Sequence, residues 1–296
     1  VKKRFRDKAG ARRTVWDWLQ SEHIARFPFP PHGRIPNFAG AGRAAARLFE
    51  HPLLRKARSI KVNPDAPQRP VRLLALRRGI TVFVPTPRLR GGFMKLDPRK
   101  IPKDHLGDAA SLSKCRRWAE DVALDELPRM DLIVAGSVAV TRDGRRCGKG
   151  EGYSDLEFAV LRELGHPPAP VATTVHSAQI VEHFPRDAND LPLSLIVTPE
   201  EVVEVENPPP APRGIDWSLL SERDLEEMPI LRGLKRKRKH AAAKGRKRKS
   251  GPHAPLRRGA TLTARIRARV APPSPPCRGG PFRPARFGRR ALSALP

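Results

Sequence analysis

Apolar positions along the chain fall into short runs separated by longer amphipathic stretches. Ser59–Val62, Ile80–Val84, 131–135, Val171–Val175 and Leu193–Val197 are rich in Val and Ile, each four or five residues long, and have the length and composition of buried strands. Between them the spacing changes to that of helices. Ala11, Val15, Leu19 and Ile24 share one face of Lys8–Ile24, Ala45, Leu48, Phe49 and Leu53 one face of 41–57, and Leu156, Phe158, Ala159, Val160 and Leu164 one face of the stretch after Tyr153. Val71–Arg77 and Ser111–Leu127 have helix-compatible spacing as well. Strands alternate with helices without hairpin signals, which predicts an α/β fold: a mostly parallel sheet covered on both faces, three layers in all.

In such a sheet ligands sit beyond the carboxyl ends of the strands, where the loops Pro85–Arg90, Arg142–Gly152 and His176–Gln179 all begin. The middle loop carries the most chemistry. Met130–Phe158 runs from an apolar segment broken at Gly136 and Ser137, through Arg145, Arg146, Cys147, Gly148, Lys149, Gly150, Glu151 and Gly152, into the helix beginning near Tyr153. Glycines at 148, 150 and 152 let backbone N–H groups approach a ligand, and the helix adds the positive end of its dipole. Arg145, Arg146 and Lys149 offer charge-assisted hydrogen bonds to phosphoryl oxygens. A sharp turn with solvated basic residues is the competing reading of a bare alternating-glycine loop, which is neither a Walker A loop nor a dinucleotide fingerprint.

Charge divides the chain. Of 58 Lys and Arg residues, 21 lie from Arg232 onward with no Asp or Glu among them, so most of the net charge of +28 sits there. Two domains follow: a folded body over 1–231 and a disordered, basic, Pro/Arg-rich tail over 232–296, in which nonspecific nucleic-acid binding or nuclear localisation compete with a merely solvated tail. Cys115, Cys147 and Cys277 are odd in number and far apart, which argues against a disulfide framework or zinc knuckle and fits a reducing cytosol. No apolar run is long enough to span a bilayer, and the expectation is a soluble, cytoplasmic protein.

The motifs recur in a known order. Asp131-Leu-Ile-Val, Gly136, Val138-Ala139, Asp143, Gly144, Arg146, Gly148, Gly150, Gly152, Tyr153 and Asp155, preceded by Lys8-Ala-Gly-Ala-Arg12 and Pro87-Arg88 and followed by Gln179-Ile-Val, Phe184-Pro185, Asp190 and Thr198-Pro199-Glu200, resemble the 5-formyltetrahydrofolate cyclo-ligase (methenyltetrahydrofolate synthetase) family. Val15-Trp16-Asp17, Arg34-Ile-Pro-Asn-Phe, Lys61-Val-Asn-Pro-Asp, Pro85-Thr-Pro-Arg-Leu, Gly136-Ser-Val-Ala-Val and Gly148-Lys-Gly-Glu-Gly-Tyr resemble its methenyltetrahydrofolate synthetase domain-containing subgroup.

That resemblance implies a NagB/RpiA/CoA-transferase-like fold and the ATP- and Mg²⁺-dependent conversion of 5-formyltetrahydrofolate, a reduced folate, to 5,10-methenyltetrahydrofolate. It implies a triphosphate held by Lys8, Arg12, Arg145, Arg146, Lys149 and the amides of Gly148, Gly150 and Gly152, with Arg88 helping to neutralise phosphate or the folate tail. Arg146, Lys149 and Tyr153 take the catalytic roles, Tyr153 lying between nucleotide and pterin, and Asp155 holds the metal. Two departures stand out: Ser154 where cyclo-ligases usually have Tyr, and no carboxylate in Pro36–Gly40, where the resemblance places a folate-contacting Glu. The alternative reading is a catalytically lapsed relative that binds nucleotide or RNA.

Overall fold

A computed structural model describes residues 3–238. Its centre is an eight-stranded sheet in the order Val202–Glu204, Leu195–Val197, Val171–Thr174, Leu132–Val134, Ser59–Val62, Thr81–Pro85, Phe93–Leu96, Glu120–Val122. The five strands from Leu195–Val197 to Thr81–Pro85 are parallel, and the strands outside them pair antiparallel. The mixed, largely parallel α/β sheet is as the alternation of elements requires.

Both faces are covered. The period of two sends Ile60, Val62, Leu132 and Val134 to one side, against Ala45, Leu48 and Phe49 of the helix Ala41–Glu50 and Val71, Ala75 and Leu76 of the helix Arg69–Arg77. Phe83 and Ile133 belong to the opposite cluster, with Phe158, Ala159, Val160 and Leu161 of the helix Tyr153–Glu163. The first helix, Lys8–Ser21, is capped by the Asp7 side chain and packs through Ala11, Val15, Trp16 and Leu19 onto a separate three-stranded sheet. That sheet, Ile180–Val181, Ala139–Thr141 and Arg146–Cys147, takes the second half of the apolar run that Gly136 and Ser137 interrupt.

Three local expectations change. Ser111–Leu127 is not a helix: it holds a short 3₁₀ turn at Cys115–Arg117 and the edge strand Glu120–Val122. The strand Phe93–Leu96 presents an open edge, and pairing with it outweighs the weak helical spacing. That strand itself folds back on Thr81–Pro85, and Leu195–Val197 with Val202–Glu204 and Ala139–Thr141 with Arg146–Cys147 pair antiparallel in the same way, so hairpin-type connections exist where no hairpin signal was legible. The helix over 41–57 divides, since Pro52 starts a separate short helix at Pro52–Arg55.

The described chain continues past 231. Residues 229–238 are helical, and Leu231 and Leu234 are buried with Leu225 and Met228 in the cluster that contains Leu89 and Phe93. An apolar stripe at i, i+3 carries the helix through the first basic residues. Residues 239–296, with the expected tail, its nucleic-acid contacts and Cys277, lie outside the described residues. No helix among those described is long and apolar enough to cross a membrane.

Candidate active site

Two of the three loops expected at the strand ends meet. Thr86, Pro87 and Arg88 from the loop after Thr81–Pro85 face Arg146, Gly148, Lys149, Glu151, Gly152, Tyr153, Ser154, Asp155 and Glu157 across a cavity of about 340 Å³. The third wall is Asn63, Pro64 and Asp65, the loop after Ser59–Val62. The His176–Gln179 loop does not reach it: Gln179 instead donates to the carbonyls of Ser137 and Val138 and ties the two sheets together. A second, more apolar cavity of about 420 Å³ shares Pro64, Thr86, Pro87 and Leu112 with the first and continues to Met94 and Cys115.

The glycine loop has the expected form. Gly150 has φ 112° and Gly152 has φ 70°, values that side chains rarely adopt, and Gly152 caps the helix Tyr153–Glu163 without a side chain of its own. The first amides of that helix therefore open toward the cavity wall that Tyr153, Ser154 and Asp155 line.

The basic residues divide by role. Arg146 is 3% exposed: its Nε and Nη2 donate to the Gly136 carbonyl at 3.0 and 2.7 Å, and its Nη1 reaches Asp155 at 3.2 Å. It braces the loop more than it offers itself to a ligand. Lys149 is freer, paired only with half-exposed Glu151 at 2.7 Å. Arg12 lies beneath the loop, Nη1 at 3.4 Å from both the Cys147 sulfur and the Gly148 carbonyl.

Lys8 and Arg145 point elsewhere. Lys8 is held between Asp187 and Asp190, both at 2.6 Å, and these bonds raise its pKa despite the burial that opposes them. Arg145 bonds Asp143 and the Phe184 carbonyl. Neither lines the cavity. Arg88 does, with φ 53°, and pairs with Glu227 at 3.3 Å. Burial raises the Tyr153 phenol above its ordinary range, so at neutral pH it is a hydroxyl donor. Cys147 is fully buried and its thiol is pushed up by the same cause, which removes it from consideration as a reactive group.

Asp155, the expected metal ligand, is bonded within the protein. Its Oδ1 accepts from Leu191 N–H at 3.0 Å and from Arg146, and its Oδ2 faces Arg146 at 3.3 Å. Both oxygens serve a cation already in place. Among the described residues no group of three or more metal-ligating side chains exists. A nucleotide-bound Mg²⁺ needs no more than one or two protein carboxylates, and Asp65 and Asp155 are the carboxylates at the cavity that would hold it; no chemical step is assigned to one.

Of the residues that sequence reasoning missed, Asp65 and Glu157 line the cavity and Arg72 and Lys61 lie behind them. Asp65 is a carboxylate to which no protein group donates a hydrogen bond among the described residues, and desolvation raises its pKa against the pull of Lys149, Arg146, Arg72 and Lys61. Arg72, 2% exposed, fixes that loop by donating to the carbonyls of Asn63, Asp65 and Ala110, and desolvation brings its pKa down to about 10. Lys61 and Glu157 make a buried ion pair beneath. Their signal was present: a Lys inside the otherwise apolar strand Ser-Ile-Lys-Val and a Glu between Leu156 and Phe158 on the apolar side of a helix. Pro36–Gly40 contributes nothing to the wall, where only the adjacent Ile35 appears, so the missing Glu there does not leave the cavity without a carboxylate.

Gly136 is needed for space. A Cβ there would stand 2.8 Å from Ile35 Cγ2, 2.9 Å from Asp65 Oδ2 and 2.9 Å from Gln68 Oε1. Gly136→Ala is expected to lose about 1–3 kcal/mol of stability by overpacking, read as a lower denaturation midpoint, and to push Asp65 from its place.

Comparison with known proteins identifies the family. The sequence profile of the 5-formyltetrahydrofolate cyclo-ligase family matches residues 12–199. The chain belongs to that family. It is 44% identical over 241 residues to the Mus musculus methenyltetrahydrofolate synthase domain-containing protein, covering 79% of this chain and 64% of that one. The Homo sapiens counterpart is 38% identical over 241 residues, 79% of this chain and 63% of the relative. This chain thus spans a little under two thirds of the length of either. The 5-formyltetrahydrofolate cyclo-ligase of Escherichia coli (strain K12) is 33% identical over 78 residues, 26% of this chain and 41% of the enzyme. The structure of Aquifex aeolicus 5,10-methenyltetrahydrofolate synthetase is similar over 72% of this chain and 99% of its own, with TM-score 0.44 and 18% identity.

Proposed function

We propose that the chain is an ATP-dependent 5-formyltetrahydrofolate cyclo-ligase. The supporting observation is one cavity with two unlike sides: a glycine loop with Lys149, faced by Arg88, on one, and the unpartnered carboxylate of Asp65 beside an apolar annex on the other. The first side suits a polyphosphate, and the second a flat ring that carries N–H donors.

The chemistry needs positioning more than reactive groups. The formyl oxygen attacks the γ-phosphorus of ATP, ADP departs, and the substrate becomes an imidate-like phosphate ester. N10 then attacks the formyl carbon and loses its proton, the C–O bond breaks, and phosphate leaves with the oxygen. In this reading Lys149, Arg88 and the loop amides neutralise the transferring phosphoryl group. Arg146 and Arg12 hold the loop, Tyr153 sits between the nucleotide and the pterin, and Asp65 accepts from ring N–H groups.

Purified chain given ATP, Mg²⁺ and 5-formyltetrahydrofolate is expected to accumulate methenyltetrahydrofolate, followed by its absorbance. Asp65→Asn is expected to weaken folate binding about tenfold and leave ATP binding as it was, measured by calorimetry of each ligand. Absence of turnover together with retained ATP binding would reject the enzymatic reading.

A further inference from the structure

Four side chains form a line of hydrogen bonds under the cavity, and its direction is forced by chemistry. The Lys61 ammonium, 1% exposed, donates to Glu157 and, at 2.7 Å, to Asn63 Oδ1. An ammonium has donors only, so Asn63 must turn its oxygen toward it and its NH₂ away. That NH₂ donates to Ser154 Oγ at 2.7 Å. Ser154 is therefore the acceptor in this bond. Its own proton meets no acceptor among the described residues, and Ser154 lines the cavity together with Asn63 and Glu157.

A chain of donors that begins on a buried cation is polarised along its length, so the last hydroxyl is a stronger donor than an isolated serine. Asn63 and Asp65 stand two residues apart on the same loop, which puts the Ser154 hydroxyl on the carboxylate side of the cavity. The donor at Ser154 and the acceptor at Asp65 are complementary to a ligand edge with both a carbonyl oxygen and an N–H.

We propose that Ser154 is a specificity-determining residue of this site, donating to the carbonyl oxygen of a cyclic amide in the ring-bearing substrate, with Lys61, Glu157 and Asn63 as the positioning residues that fix its direction. The proposal rests on the reading that a reduced folate shares the cavity with a nucleotide. It gives a use to the serine that stands where cyclo-ligases usually have tyrosine.

Calorimetry on the full chain tests it, with ATP and 5-formyltetrahydrofolate as separate probes. Ser154→Ala is expected to weaken folate binding about tenfold and leave ATP binding within about twofold. Ser154→Thr, which keeps the hydroxyl, is expected to recover most of the loss. Asn63→Asp turns the line around: its carboxylate accepts from both Lys61 and Ser154, drawing the serine proton inward. It is expected to lose folate affinity as Ser154→Ala does, and Ser154→Ala added to it is expected to cost nothing more. Unchanged folate affinity in Ser154→Ala, beside a wild-type chain that binds folate, overturns this inference alone. Equal losses for ATP and folate overturn it in favour of a structural serine or a phosphate contact. A wild-type chain that binds ATP and no folate overturns both this inference and the function on which it rests.

Discussion

Lys61→Met is expected to destabilise the fold by about 3–5 kcal/mol, the usual cost of removing one partner from a buried ion pair. Lys61 comes from the middle of a central parallel strand and Glu157 from the helix that covers it, and the two side chains are 1% and 5% exposed. Without Lys61 the Glu157 carboxylate has no partner of opposite charge in contact, and burial, which already raises its pKa, acts unopposed by that cation. The sign of the pH dependence follows. A carboxyl whose folded-state pKa lies above its unfolded value contributes stability that is present below the unfolded pKa and is lost as pH rises through the folded one. Lys61→Met should therefore be closest to wild type in acid and fall progressively behind toward neutral pH. Replacing both residues, Lys61→Met with Glu157→Leu, is expected to return most of the stability, since two well-packed apolar side chains need no desolvation. Urea denaturation of the three proteins between pH 4 and pH 8 reads all of this. A single variant as stable as wild type at neutral pH would show that the pair does not carry its charge in the folded chain.

Arg146→Ala and Lys149→Ala are expected to fail in opposite ways, although the two residues stand three apart in one basic loop. Arg146 is buried, and its removal leaves the Gly136 carbonyl without both of its guanidinium bonds and Asp155 without its cation. A loss of about 3 kcal/mol or more is expected, with nucleotide binding falling as a consequence of a displaced loop. Lys149 has only the surface contact with Glu151, so Lys149→Ala should change stability by no more than about 0.5 kcal/mol. Its effect belongs to the ligand: ATP affinity is expected to drop about tenfold or more, through loss of a charge-assisted bond to phosphate. Thermal denaturation beside ATP calorimetry separates the two. A Lys149 variant with unaltered ATP affinity would remove the main charged contact from the proposed triphosphate site.

The glycine loop and its helix were legible because their signal is local. Gly150 and Gly152 stand where the backbone takes positive φ, and an apolar helix begins directly after them. The strand Ser59–Val62 was legible in full, since a short β-branched run closed by Asn-Pro has few alternatives. Ser111–Leu127 was not, because its pairing partner Phe93–Leu96 lies far back in the chain and carries no strong signal of its own. Site residues divide in the same way. Lys149, Tyr153 and Arg88 line the cavity as their motifs suggested, whereas Lys8 and Arg145 have carboxylates of their own and do not.

By itself, then, the sequence determined the alternation of strands and helices, the phosphate-friendly loop and the family to which both belong, because each depends on residues close together in the chain. Only the tertiary structure decided which charges face the ligand. Arg146 and Asp155 satisfy one another and the loop, Lys61 and Glu157 meet across the sheet–helix boundary, and Asp65 is left facing the cavity. A charged side chain takes its role from the nearest group that can neutralise it, and that neighbour is set by packing between elements up to 182 residues apart along the chain.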